Sequence, residues 1–326
     1  MGAAAKSNGT YVWRKLIALV PILFAVTFFT FYLTSLLPGD PAVLLLGPGA
    51  TPEGVAELHE RLHLDDPLLS RYFRWLGNAA TGDLGVSPFQ NQPVADAIGK
   101  ALPVSLQLVA YAQVLALALS IPLGVLSAWK AESRLDRGIS VASSFFLSMP
   151  GYVLAPLLII VFSVGFFTWL PAARYVPFGE SPVLHFKHMV LPVISLSMTQ
   201  VAVYTRLLRT DMLATLKEEF INVAKAKGLS NKRILFVHAL RPSSFALLTV
   251  LGINIGFLIG TGLIIETIFT LPGLGTQIAT AVFQRDYLII QGAVVVVAVG
   301  YVFANFVVDL LYAVLDPRVR HARAIA

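Results

Sequence analysis

The residues best suited to chemistry lie near the N-terminal third of the chain. His59-Glu60-Arg61-Leu62-His63 matches H-E-x-x-H. On a helix, this spacing sets two imidazoles one turn apart for Zn²⁺, with Glu60 as base for the bound water. A membrane-anchored zinc peptidase is therefore one reading. Against it, no third-ligand pattern follows, and a new helix start comes directly after the motif. Chance occurrence on a solvated helix face is favoured, with adventitious metal binding by His59 and His63 ahead of catalysis. Other chemistries are excluded outright. The chain has no cysteine, which removes thiolate metal sites, iron–sulfur clusters, disulfides and cysteine nucleophiles. It has no G-x-x-x-x-G-K-[ST] phosphate loop, so ATP hydrolysis is not expected of it.

Any such group must be positioned by membrane helices. Of 326 residues, 56% are hydrophobic and 13% charged, against about 25% charged in a soluble domain. Mean hydropathy is +0.76. The apolar residues fall in blocks long enough to cross a bilayer. We expect an all-α polytopic membrane protein with six transmembrane helices, over residues 16–37, 104–129, 139–170, 189–208, 244–271 and 287–315. The third is interrupted by Pro150-Gly151 and Pro156. The first lacks a small-residue cleavage site and reads as a retained anchor. Two regions follow: residues 1–103, holding a tail, the first span and an outer helical segment, and a five-helix core over residues 104–326.

Basic residues orient the chain. With the N-terminus inside, the inner segments hold 17 Lys and Arg and the outer segments 7. Both termini are therefore expected in the cytoplasm. The net charge of +6 marks orientation, not nucleic-acid binding. Outside, Thr51-Pro52-Glu53 and Asp66-Pro67 each read as a helix start, giving two short amphipathic helices at the membrane surface. Inside, residues 216–243 read as helix, glycine turn, helix. The first helix runs from Lys217 to Lys227, Gly228 takes the left-handed position that ends it, and Ser230 caps a second helix through Leu240.

Polar groups within spans need partners or water. Gln107, Gln200, Asn254 and Asn305 each either line a pathway or bridge helices. Asp309 lies more than a turn inside the last span, near the inner boundary where Arg206 and Arg209 are expected, and reads first as a structural ion pair. Gly252, Gly256 and Gly260 share one helix face and read as a packing surface. With few buried acids there is no proton relay, so an energised transporter built on this chain draws its energy from a partner. An autonomous channel or ion-coupled carrier is the remaining alternative.

Several longer stretches resemble the membrane permease subunits of bacterial peptide (oligopeptide/dipeptide) ABC importers, specifically the subunit with a long outer segment after span one. They are Leu37-Pro38-Gly39-Asp40-Pro41, Leu64-Asp65-Asp66-Pro67-Leu68, Gly82-Asp83-Leu84-Gly85-Val86-Ser87, Ala224-Lys225-Ala226-Lys227-Gly228-Leu229, Glu266-Thr267-Ile268-Phe269, Leu271-Pro272-Gly273-Leu274-Gly275 and Asp316-Pro317-Arg318. The resemblance covers nearly the whole chain. It implies a type I ABC-importer permease fold in the plasma membrane, non-catalytic and without a cofactor. It also implies as partners a second related permease, two ATP-binding subunits, an extracytoplasmic peptide-binding protein and the peptide itself. Phe220, Ile221, Asn222, Val223, Ala224 and Gly228 then correspond to the loop that couples to an ATPase subunit. Asn222 stands where the general importer loop carries its acid, Val223 where it carries its first alanine, and Arg241 where it carries a proline.

The orientation is tested by single cysteines in this cysteine-free background. Asn78→Cys should react with an impermeant thiol reagent added outside intact cells, and Ser230→Cys should not. Outside labelling of Ser230→Cys would reverse the topology.

Overall fold

The computed structural model describes residues 20–36, 40–165 and 167–315, with backbone alone for 41, 44, 45, 48, 61, 62 and 308–315. The chain forms α1 (Val20–Ser35), α2 (Pro41–Leu46), α3 (Pro52–Leu62), α4 (Leu68–Ala80) and a short antiparallel hairpin of β1 (Val86–Ser87) and β2 (Gln92–Pro93). There follow α5 (Val94–Trp129), α6 (Arg134–Ser148) and α7 (Gly151–Ile159), which ends in a π-helical turn over Ile160–Val164. Then come α8 (Pro182–Thr215), α9 (Glu219–Ala226), α10 (Asn231–Arg233), a π-helical stretch over Ile234–Ala239, α11 (Leu240–Ile268), α12 (Leu274–Gln284) and α13 (Tyr287–Leu315).

Among the described residues, four helices are long and apolar enough to cross a bilayer: Val94–Trp129, Pro182–Thr215, Asn231–Ile268 and Tyr287–Val307. α6 and the α7–π segment pass the same test as a pair, but they are bent by 98°. The expected third span is thus two arms at a sharp corner. Pro150, at the corner, lacks the N–H that would continue the helix and pushes Met149 into an extended conformation. The expected second inner helix is also not separate. From Asn231 the backbone runs without a break into α11. Ser230 occupies the cap position but makes no side-chain cap bond.

By contacts the chain divides into two units, one with residues up to Pro103 and Thr276–Val302, the other with Val104–Gly275 and the residues from Phe303 on. In the first, Thr51 caps α3 by accepting the Gly54 N–H, as its position predicts. α4 lies on α1 through Tyr72, which is fully buried. Its hydroxyl pairs with Thr27 Oγ1 at 2.8 Å, and its ring takes Phe24 and Phe28 edge-on with centroids 5.5 and 5.2 Å away. Gln291 donates to Thr34 Oγ1 at 2.6 Å, joining α13 to α1.

In the second unit α8 is the central element, packed by α6, α7 and α11. Its core residues Met189, Leu191 and Leu196 meet Leu108 and Ala112 of α5, Ala155 of α7 and Leu258 and Ile265 of α11. One close approach governs the corner. A Cβ on Gly151 would lie 2.6 Å from the Ser195 carbonyl oxygen, so α7 reaches α8 only because this residue has no side chain. Overpacking of this kind costs about 1–3 kcal/mol. Gly151→Ala should therefore lower the unfolding temperature of the detergent-purified chain. Gly179→Ala, where a Cβ meets nothing within 4 Å, should leave it unchanged.

Candidate functional site

The end of α5, the start of α6 and the last turns of α8 are joined by one carboxylate. Arg209 of α8 donates from Nε to Asp136 Oδ1 at 2.6 Å and from Nη2 to Oδ2 at 2.7 Å. The Ser127 hydroxyl of α5 also donates to Oδ1, and the Glu132 N–H to Oδ2 at 2.8 Å. Asp136 is buried by this set, and every bond to it is charge-assisted. The ion pair expected between Asp309 and Arg206 or Arg209 falls outside the described side chains. Arg209 pairs with Asp136, Arg206 is exposed, and the Asp309 side chain lies outside the described residues.

Beside this knot sits the helix–turn–helix. Ile221 and Ala224 of α9 are buried with Val125 and Ala128 of α5, Leu208 and Met212 of α8, and Ile234, Leu235 and Ala239 of the π stretch. α9 ends as expected. Gly228 has φ +75°, its N–H bonds Lys225 O at 2.9 Å, and the Leu229 N–H bonds Ala224 O at 3.2 Å. This double bond is the Schellman closure, and Leu229 packs on the same cluster. Thr215 and Ser243 hydroxyls, 2.9 Å apart, tie α8 to α11 behind it. The apolar residues of α9 do not form one outward face. Ile221 and Ala224 belong to the chain's own core, while Phe220 and Val223 are 47% and 53% exposed. Asn222 is exposed as well. Phe236 and Val237 on the following turn are also open.

Deeper in this unit, α5, α8 and α11 share a polar seam. Gln113 Nε2 donates to the Tyr204 hydroxyl at 3.2 Å. Gln200 is 2% exposed, sealed between helices of one chain. Gln200 Oε1, Asn254 Nδ2, Ser120 Oγ and Thr205 Oγ1 are buried without a partner among the described residues. Asn305 is half-buried on α13. Gln107 bridges, accepting from Tyr175 at 2.9 Å. Of the three glycines on one face of α11, Gly252 is buried and Gly256 half-buried. A Cβ on Gly260 would meet nothing among the described residues.

Sequence reasoning missed two residues. Asp136 has the local look of a cap, because its own N–H is bonded by Ser133 Oγ, and that hides its partner 73 positions away. Glu266 is buried near the end of α11, where its carboxylate accepts the Gly275 N–H at 2.7 Å. Ser105 accepts the neighbouring Leu274 N–H at 2.8 Å. A Cβ on Gly273 would fall 2.3 Å from Glu266 Oε2. The Pro-Gly-Leu-Gly segment is therefore shaped to wrap this carboxylate, which the quoted sequence pairs with it.

The H-E-x-x-H segment does not make a metal site. α3 ends at Leu62, and His63 sits beyond it at φ 52°, so the two imidazoles do not share a helix face. His59 is occupied at both nitrogens. Nδ1 lies 2.9 Å from Asp65 Oδ1, and Nε2 lies 2.9 Å from each Asp40 oxygen. These hydrogen bonds, first Asp65 and then Asp40, raise the imidazole pKa above its ordinary value. They favour a cation that has no lone pair for a metal. Among the described residues no group of three or more His, Asp or Glu could hold an ion.

Residues 120–321 match the model of the binding-protein-dependent transport system inner membrane component family, and residues 10–109 match that of its N-terminal region. The chain belongs to this family. It is 36% identical over 316 residues to the oligopeptide transport system permease protein AppB of Bacillus subtilis, spanning 95% of this chain and 99% of that one. To the di/tripeptide transport system permease protein DppB of Pseudomonas aeruginosa it is 35% identical over 335 residues, at 96% and 99% coverage. Among solved structures, the inward-facing MetNI methionine ABC transporter superposes with a TM-score of 0.54 at 15% identity, over 68% of this chain and 96% of that chain. That likeness is one of fold. A multi-pass inner-membrane transport component is thus what the helices build, and neither the peptidase nor the channel reading stands.

Removing one member of a buried ion pair costs about 3–5 kcal/mol, because the other is left charged and unpaired. Asp136→Leu should therefore destabilise the detergent-purified family member strongly. Asp136→Leu with Arg209→Leu should recover most of the loss, as read by thermal unfolding.

Proposed function

We propose that the chain is one permease subunit of an ATP-driven peptide importer. In this reading it forms half of the translocation pathway together with a second, related permease. Two ATP-binding subunits lie on its cytoplasmic side and an extracytoplasmic peptide-binding protein on the other, with both termini in the cytoplasm and six spans between. Support for peptide as cargo comes from the relatives above, which match this chain end to end and are named for oligopeptide and di/tripeptide transport. Gln200, Asn254 and Asn305 are the polar side chains proposed to serve the pathway.

The observation that carries the coupling assignment is the split face of α9. Ile221 and Ala224 anchor the helix in the core, and Phe220 and Val223 are held out beyond it. An apolar pair displayed on a short, rigidly footed helix fits a groove on a soluble partner. Lys225, Lys227, Lys232 and Arg233 around it keep the same surface out of the bilayer. Load received by α9 passes to α8 and α11 through the Gly228 turn and the Thr215–Ser243 bond.

Val223→Asp changes only the displayed face. Gly228→Val strains the turn by about 1–2 kcal/mol and re-aims α9. Both variants should insert normally and lose ATPase-subunit binding or the link between ATP hydrolysis and peptide uptake. Complex yield, ATPase rate and uptake are measured together. Full assembly and wild-type import by both variants would reduce residues 216–243 to a solvated loop.

A further inference from the structure

We propose that the unit built from residues up to Pro103 and 276–302 carries a binding site for an anionic phospholipid. It contains a cavity of about 540 Å³, within the range of small-molecule sites. The walls come from the end of α1, from α4, from the loop around the hairpin and from the first turn of α13. The Gln291–Thr34 bond sets the ends of α1 and α13 at one level, where two apolar helices leave the bilayer. α4 lies against α1 about two turns further in, at Thr27. Its Leu69 and Phe73 side chains are 57% and 56% exposed. An amphipathic helix so placed lies in the interface, with its apolar side among acyl chains. The cavity beside it therefore opens at headgroup depth.

The lining suits a phosphate diester on an apolar body. Arg71, Arg74 and Arg285 contribute positive charge. The lining also carries two carboxylates, Asp83 and Asp286, each hydrogen-bonded to neutral donors of the chain. Asp83 accepts the Gly85 N–H at 2.9 Å. Asp286 accepts the Ser87 hydroxyl and, at 3.2 Å, the Ile289 N–H. Arg74 is held by Asp66 at 2.7 Å, while the Arg71 side chain feels the same carboxylate only through its charge. The Tyr287 hydroxyl is buried without a hydrogen-bond partner among the described residues. Phe31, Trp75, Leu84 and Leu288 supply apolar wall. A soluble phosphate would leave that wall in water, and a choline headgroup would bring a cation against the arginines. A glycerol headgroup with one net negative charge satisfies both halves of the cavity.

The inference needs residues 38–103 to face outward but does not depend on the cargo. It is tested on the purified full-length chain by native mass spectrometry, titrating dioleoylphosphatidylglycerol, dioleoylphosphatidylcholine and glycerol 3-phosphate. A charge-assisted hydrogen bond is worth roughly tenfold or more in affinity. Phosphatidylglycerol should bind about tenfold tighter than phosphatidylcholine, and Arg71→Gln should remove that preference by a similar factor. Asn78→Trp, at an exposed lining position, should occlude the cavity and release the lipid without unfolding the chain. Lys187→Gln, which is not part of the lining, should change nothing. Equal binding of the two lipids would overturn the proposal. So would undiminished phosphatidylglycerol binding in both cavity variants, or equal competition by glycerol 3-phosphate, which would reassign the site to soluble phosphates.

Discussion

Asp136 is the point on which the second unit turns. A carboxylate this buried is tolerable only when its charge is matched, and here the match comes from three directions: Arg209 on α8, Ser127 on α5 and the Glu132 N–H in the loop between α5 and α6. No one of these elements can shift without leaving a charge in a poor dielectric. The apolar cluster that seats α9 is built from the same helix ends, with Val125 and Ala128 just before the loop and Leu208 and Met212 flanking Arg209. Electrostatics thus sets the frame, and apolar burial fills it. The aim of Phe220 and Val223 follows from both.

Local rules were legible in the chain, and distant ones were not. The Gly228 turn, the Thr51 cap and the long apolar helices each depend on a few neighbouring residues, and each appears where its residues stand. The failures share a cause. Asp136 meets Arg209 from 73 positions away, because charge partners are chosen in three dimensions. Pro150 was visible as an interruption, but its 98° corner also requires that α7 be able to lie on the α8 backbone at Gly151. Ile221 and Phe220 look alike in a helical repeat. Only the position of α8 decides which is core and which is surface.

The zinc-like motif shows the same limit in a chemical setting. H-E-x-x-H specifies a metal site only if both histidines lie within one helix. Here the helix stops at Leu62, and His63 takes a left-handed conformation. His59 then becomes a bridge between the start of α2, which Asp40 caps, and the linker after α3, which carries Asp65. The same imidazole serves as a fastening between α2 and α3, with its proton held in place by two carboxylates.

The unbroken helix from Asn231 to Ile268 has 38 residues. At about 1.5 Å per residue it is some 55 Å long, nearly twice the roughly 30 Å of a bilayer's hydrocarbon. A rod of that length is a lever. Turned by about 5° around its middle, each end sweeps ~2.5 Å in opposite directions, by the same helix dimensions. One end carries the turn that holds α9, and the other carries the Glu266 latch. A small push at one end of the rod is therefore felt at the other end as displacement, with no change of fold in between.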